Sequence, residues 1–310
     1  MKKLFIAFAA IATLASCNND QIIDFDKNPI NFGEAFVENS VRATDNTYGA
    51  QPLTTFNVYG TVTGTAGTVN IFNGVLVSGT VGQNEWSYEE QYAQYWIPLA
   101  DYKFAAVVDA NTVTPGDFDM PAALVYNTDG QKDLLYAEAA VNDASAEQGA
   151  VNFTFSHLLS KVHFTITSNA QGGYYHSITG IQIANFETGT YTIAHNAQGE
   201  WVPANSTWVG TTPTNISFGS VNEVTASGAK TNDTQMLLVP NAATYNVIFT
   251  VDLYKGTTKL GTETKTIPVS NDLVAGHAYN FTIECSVGNP IKFKVENDPT
   301  WGDTTDVKIQ

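Results

Sequence analysis

The chain has 310 residues, of which 43% are hydrophobic and 12% aromatic, so it is long enough for two domains of ordinary size with substantial cores. Its formal net charge of −16 excludes a surface that attracts the phosphates of nucleic acids. Thr, Val, Gly, Asn and Tyr are abundant and long Leu/Lys/Glu/Ala runs are absent, a composition typical of strands and turns.

The N-terminal segment has the pattern of an export signal. Lys2 and Lys3 precede an apolar stretch from Leu4 to Leu14, which is too short to remain as a membrane anchor. The sequence Leu-Ala-Ser-Cys that ends at Cys17 resembles a bacterial lipobox, in which the signal peptide is cut before a lipidated cysteine. We therefore expect a lipoprotein signal over residues 1–17. The alternative is an ordinary secretory signal followed by an incidental cysteine.

A short strand pattern occurs near each end of the chain. NPINF at residues 28–32 places Ile30 and Phe32 on one side of a strand, and NPIKFKV at 289–295 does the same with Ile291, Phe293 and Val295. Proline suits the start of a strand because it has no backbone donor. The repeat predicts that both segments fill one kind of groove, and coincidence is the alternative because only four of five residues match.

Arg42 is the single arginine of the chain, beside thirteen lysines. Ser, Thr, Asn, Asp and Gly surround it, which predicts an exposed loop of the kind that proteases cut. An Arg-specific or trypsin-like protease would have Arg42 as its main target. The alternative is an ordinary solvated side chain.

Most of the remaining chain is predicted to form short strands separated by turn signals, a spacing that favours antiparallel β-sandwiches. Residues 142–150 are small and polar, and a domain boundary is predicted there. The predicted strands lie at 54–60, 74–81, 86–99, 101–109, 151–167, 177–186, 234–241, 244–255, 259–270 and 277–287.

No motif of catalysis or of metal, cofactor or nucleotide binding is found in the sequence. The five histidines form no ligand cluster, and the alternating residues around Cys285 predict a small core residue on a strand rather than a nucleophile. An aromatic run could either stack on a glycan or cover the first core, and the core is the favoured interpretation. Its residues are Trp86, Tyr88, Tyr92, Tyr95 and Trp96.

Several motifs, taken in order, resemble the fimbrillin family of Bacteroidetes. They are the lipobox, the I-x-F strand, the Arg before Ala-Thr, FNVYG, YWIPL, DYKFAAVV, SHLLSKVHFTI and the terminal IKFKV. The resemblance covers nearly the whole chain and rests on the order of the motifs, since each of them is loose.

The resemblance implies an all-β fold of two tandem transthyretin-like antiparallel β-sandwich domains, over 43–150 and 151–310. It also implies an outer-membrane lipoprotein with an acyl group such as palmitate on Cys17. Cleavage between Arg42 and Ala43 would remove the strand in 18–42 that holds Ile30 and Phe32. A donor segment at about 288–310 from a neighbouring subunit would replace it. The donor residues would be Ile291, Phe293, Val295, Val307 and Ile309.

The expected function is that of a structural fimbrial subunit that supports adhesion, with no enzymatic activity and no cofactor. Its partners would be other fimbrial subunits in a homopolymer or mixed filament, the maturation protease, the outer membrane, and a host or bacterial surface ligand. A cleavage site together with a donor segment favours a shaft position. The alternative is a monomeric surface lipoprotein that binds a glycan or a host protein.

Overall fold

The computed structural model describes residues 28–37, 53–79, 86–231, 235–241, 243–270 and 272–298. These residues form strands, turns and four short 3-10 helices, which confirms the all-β class. Within these ranges no helix has the length and apolar character needed to span a membrane. In chain order the strands are β1 (Phe32–Val37), β2 (Thr55–Gly64), β3 (Gly67–Gly79), β4 (Trp86–Ser87), β5 (Asp101–Val108), β6 (Thr112–Pro115), β7 (Pro121–Asn127), β8 (Leu135–Val141), β9 (Val151–His157), β10 (Ser160–Ser168), β11 (Tyr174–Thr192), β12 (Thr207–Val224), β13 (Lys230–Thr231), β14 (Met236–Leu238), β15 (Tyr245–Lys255), β16 (Thr258–Val269), β17 (Ala278–Cys285) and β18 (Lys292–Asp298).

The first group of strands closes into a barrel in the order β1-β4-β3-β2-β5-β8-β9. β1 completes the ring because it pairs antiparallel with β4 on one side and parallel with β9 on the other. Among the described residues β4 is the shortest link of the ring, with the pair Phe32↔Trp86 to β1 and the pairs Ser78↔Ser87 and Gly79↔Trp86 to β3. The inward residues of these strands, among them Phe56, Phe104 and Phe153, form one continuous apolar core.

The second group forms two sheets that share a core. One has the order β13-β10-β17-β18 with β14 beside β10, and the other has the order β16-β15-β11-β7-β6 with β12 beside β11. In β15, Val247, Phe249 and Val251 are buried, and Ile248 and Thr250 between them are more exposed, as the period of a half-buried strand requires. Phe164 of β10 and Phe218 of β12 meet edge-on in this core, with ring centroids 4.9 Å apart.

The hairpin β6–β7 links the two groups of strands. In the sequence it lies between the barrel strands β5 and β8. In the structure, however, β7 pairs with β11 from Asn127↔Thr188 to Ala123↔Thr192. Leu124 and Tyr126 of β7 pack in a third apolar cluster with barrel residues such as Tyr136. β9 follows residue 150 and still belongs to the barrel. The division of the chain into domains at 150 stays a prediction.

Three sequence expectations differ from the observed strands. The predicted strand over 86–99 is wrong: only Trp86 and Ser87 form a strand, and Glu90–Tyr92 form a 3-10 helix. Leu99 has φ of 62°, which no strand residue adopts. The sequence reading also missed β7, β8 and the long strand β12. β1 to β9 and β10 to β17 are parallel pairs, whereas only antiparallel ones were expected.

Candidate functional site

The strongest candidate site is the place of β1 in the barrel. Ile30 is fully buried and Phe32 is 2% exposed, and both lie in the barrel core. Five aromatic rings surround Phe32, with centroid distances of 5.7–6.2 Å. Such ring pairs add to the free energy gained by burial alone. The surrounding rings are those of Phe56, Phe72, Tyr88, Phe104 and Phe153.

Hydrogen bonds hold the residues that precede β1. The Ile30 backbone N–H donates to the Gln94 carbonyl at 2.8 Å, and the Trp96 N–H donates to the Asn28 carbonyl at 3.0 Å. The Tyr88 hydroxyl donates to the Ile30 carbonyl at 2.6 Å. The segment is therefore fixed by the chain after β4 as well as by its sheet neighbours.

β1 contains a bulge at Gly33 and Glu34. Phe32 is opposite Val151 and Ala35 is opposite Phe153, so three steps along β1 match two along β9. The Glu34 N–H donates to Oδ1 of Asn152 at 2.8 Å. A Cβ on Gly33 would overlap that Oδ1 and lie 3.1 Å from Cβ of Ala150, so a larger residue here would require the Asn152 side chain to rotate and give up this hydrogen bond.

The second copy of the strand pattern lies at a sheet edge. Of the described strands, β18 pairs with β17 alone, antiparallel, with Phe293 opposite Ile283 and Val295 opposite Phe281. Val295 is buried, whereas Phe293 is only partly buried against the core, 5.8 Å from the Phe281 ring. Lys294 faces outward and lies 3.4 Å from the carboxylates of Glu284 and Glu296.

The structure brings together some predicted residues and leaves others undescribed. Ile30 and Phe32 share the barrel core, and Ile291, Phe293 and Val295 share the core of the second group. The lipidation and cleavage residues and the last two donor residues lie outside the described part of the chain. They are Cys17, Arg42, Ala43, Val307 and Ile309.

The aromatic run divides between core and surface. Trp86 and Trp96 are buried in the barrel core and Tyr88 packs against it, as the favoured interpretation has it. Tyr92 and Tyr95 are 45% and 42% exposed. The run therefore offers two exposed rings rather than a platform of five.

The described residues contain no cluster of three or more His, Cys, Asp or Glu that could hold a metal ion. Burial in the core raises the pKa of the Cys285 thiol to about 12, which keeps it protonated and unreactive. Sequence reasoning missed one buried polar pair, in which His157 Nδ1 lies 2.6 Å from Oδ2 of Asp133. Its two members are 24 residues apart and share no motif.

The family of the chain follows from comparison with known proteins. A sequence model described as fimbrillin-like matches residues 41–298. The chain therefore belongs to the fimbrillin-like family, and the resemblance noted from the sequence is confirmed. This membership supports a role as a fimbrial subunit at the cell surface, in a family of structural subunits rather than enzymes. No curated protein matches the sequence significantly.

Solved structures share the fold. A fimbrial protein from Bacteroides vulgatus has 14% identity and a TM-score of 0.56 over 87% of this chain and 98% of its own. A candidate cell adhesion protein from Bacteroides uniformis has 20% identity and a TM-score of 0.53, with 87% and 98% covered. One from Bacteroides ovatus has 17% identity and a TM-score of 0.51, with 92% and 99% covered. At these identities the likeness concerns the fold alone.

Proposed function

We propose that this protein is a structural subunit of a cell-surface fimbria that polymerises by strand replacement. It is exported as an outer-membrane lipoprotein through Cys17, and a trypsin-like or Arg-specific protease cuts between Arg42 and Ala43. The cut frees β1, and the C-terminal segment of a neighbouring subunit takes its place. Membership in the fimbrillin-like family supports the subunit role.

The observation that carries the proposal is the position of β1 between β4 and β9 with Phe32 inside five aromatic rings. Loss of β1 would expose the pockets of Ile30 and Phe32 to water, at about 1.5–3 kcal/mol for each side chain. It would also leave one edge each of β4 and β9 without a partner. An apolar groove with unpaired strand edges is a template for a strand from another chain.

β18 has the properties of a strand that can move into such a groove. Among the strands that the structure describes it has a single neighbour, β17. The groove would offer two neighbours and a pocket in which a phenyl ring is almost fully buried, whereas Phe293 is only partly buried in its own sheet. The second strand neighbour and the more deeply buried pocket both favour transfer of β18 into the groove of a neighbouring subunit. Repetition of this transfer from subunit to subunit gives an open filament.

The test is limited trypsin digestion of the unlipidated protein, followed by mass spectrometry and native size measurement. We expect one early cut after Arg42 and then a ladder of oligomers. A clean cut that leaves a monomer would contradict the proposal and favour the monomeric surface lipoprotein that binds a glycan or a host protein.

A pair of variants tests the donor role of β18. Ile291→Ala with Phe293→Ala should abolish the ladder, because both anchors of the inserted strand are truncated. Lys292→Ala is the matched control on the exposed face of the same strand and should polymerise normally. Alanine is used instead of aspartate because Phe293 also packs on Phe281 in its own subunit, where a charged side chain would destabilise the monomer itself. Circular dichroism of each uncut variant verifies its fold.

A further inference from the structure

We propose that the incoming strand enters the groove as a regular strand, without the bulge of β1. Ile291, Phe293 and Val295 then occupy the places of Ile30, Phe32 and Ala35. This inference rests on the strand replacement proposed above and specifies its register, which the resemblance between the two sequence copies leaves open.

The bulge of β1 determines which of its side chains face inward. Ile30 and Phe32 are buried and two residues apart, but the next buried side chain is that of Ala35, three residues on. Val37 follows two residues later and is also buried. The additional residue at the bulge, Gly33 or Glu34, is thus what brings Ala35 opposite Phe153 and Val37 opposite Phe155.

β18 has no such interruption. Its pairing with β17 runs from Lys292↔Glu284 to Asp298↔Ala278 without a shift of register. Phe293 and Val295 pack in the core, while Lys292, Lys294 and Glu296 are exposed. The second copy of the pattern therefore alternates strictly with a period of two.

The two registers differ in what they would bury. With Phe293 in the place of Phe32, a bulged strand would put Glu296 in the place of Ala35 and Asp298 in that of Val37. Both places are almost completely buried, and burial of an unpaired carboxylate is strongly unfavourable. A regular strand instead puts Val295 opposite Phe153, and only Asn297 reaches the place of Val37.

The surroundings of Gly33 support the same register. In a bulged strand Lys294 would stand where Gly33 does, and its Cβ would overlap Oδ1 of Asn152. Asn152 would have to rotate away and give up the hydrogen bond from the backbone of residue 34. A regular strand places Lys294 beside the exposed Asn152 as an ordinary neighbour.

Disulfide trapping distinguishes the registers. The acceptor is an Arg42-cut subunit with Thr154→Cys, an exposed site on β9. The donor is an uncut subunit, whose own groove is occupied, with either Glu296→Cys or Asn297→Cys. In the regular register residue 296 is opposite Thr154, and in the bulged register residue 297 is. All proteins lack residues 1–17 and keep the buried Cys285 as a common background.

We expect at least tenfold more disulfide-linked dimer from Glu296→Cys than from Asn297→Cys under mild oxidation. Preferential linkage through Asn297→Cys would overturn the regular register but leave strand replacement intact. If the subunits associate but neither donor cysteine forms a disulfide with residue 154, the regular register is also overturned. If the two subunits do not associate at all, and the wild-type protein gives no oligomers after trypsin, the proposed function itself fails.

Discussion

At the scale of single residues, Phe32 is the side chain on which the place of β1 depends most. Its ring stacks on that of Phe153 at 5.8 Å and meets that of Phe72 edge-on at 5.7 Å. The five rings around it come from four different strands and the chain after β4. The contribution of Phe32 to stability is therefore expected to be large.

Phe32→Ala in the uncut protein should lower the free energy of unfolding by about 3–5 kcal/mol, as is typical when a buried aromatic ring is truncated. Urea denaturation followed by tryptophan fluorescence measures the change. Tyr92→Ala is the control, since this ring is 45% exposed, and it should change stability by less than about 0.5 kcal/mol. Equal effects of the two substitutions would mean that the aromatic pocket does not hold Phe32.

At the scale of elements, β1 and β18 carry the same sequence pattern in different surroundings. β1 has strands on both sides and is fixed at its start by backbone hydrogen bonds to Gln94 and from Trp96. β18 has one neighbour within the part of the chain that the structure describes. The barrel without β1 should therefore be the unstable component, and any suitable strand should restore it.

A protein that begins at Ala43 should unfold at a lower temperature than the uncut precursor and bind more of a dye that reports exposed apolar surface. Addition of a synthetic peptide of residues 28–37 should raise its melting temperature, because the peptide refills the groove. The same peptide with Asp in place of Phe32 is the control and should have no effect. A protein without β1 that melts at the temperature of the precursor would show that β1 contributes little.

Some elements could be predicted from the sequence because their signal is local. β15 alternates apolar and polar residues, and the two copies of the NPIxF pattern located β1 and β18. β12 was missed because Thr, Gly, Asn and Pro interrupt its alternation, and it is stabilised by a long ladder with β11 instead. The run at 86–99 has aromatic residues at strand-like spacing, but Pro98 and the conformation of Leu99 are incompatible with a continuous strand.

The part of the candidate site that could be predicted from the sequence also has a local signal. Ile30 and Phe32 were identified from a pattern within five residues. The rings that enclose Phe32 are 24 to 121 residues away in the chain, from Phe56 to Phe153, and only the order of strands in the barrel brings them together. The pairing of β7 with β11 is equally non-local, so composition and periodicity could not indicate it.

At the scale of the whole molecule, charge opposes assembly. Residues 1–17 carry two lysines, and residues 18–42 carry five acidic and two basic side chains, so maturation at Arg42 would change the formal charge only from −16 to −15. Subunits of like charge repel one another. Burial of apolar side chains and backbone pairing must therefore drive the association.

Oligomer formation after cleavage should be faster at 0.5 M NaCl than at 0.02 M, because salt screens the repulsion between acidic subunits. Light scattering after a fixed pulse of trypsin, stopped by an inhibitor before the salt is changed, separates assembly from proteolysis. The cut fraction, measured by electrophoresis, is the control. Slower assembly at high salt would mean that attraction between opposite charges holds the subunits together.

The hairpin β6–β7 has a mechanical consequence for a subunit under tension. The backbone passes between the barrel and the second group of strands on either side of this hairpin and again after β9. A force that pulls the two groups apart is therefore shared among three backbone connections and acts on the β7–β11 ladder as well. A filament built of such subunits would resist extension through several parallel load paths instead of one linker.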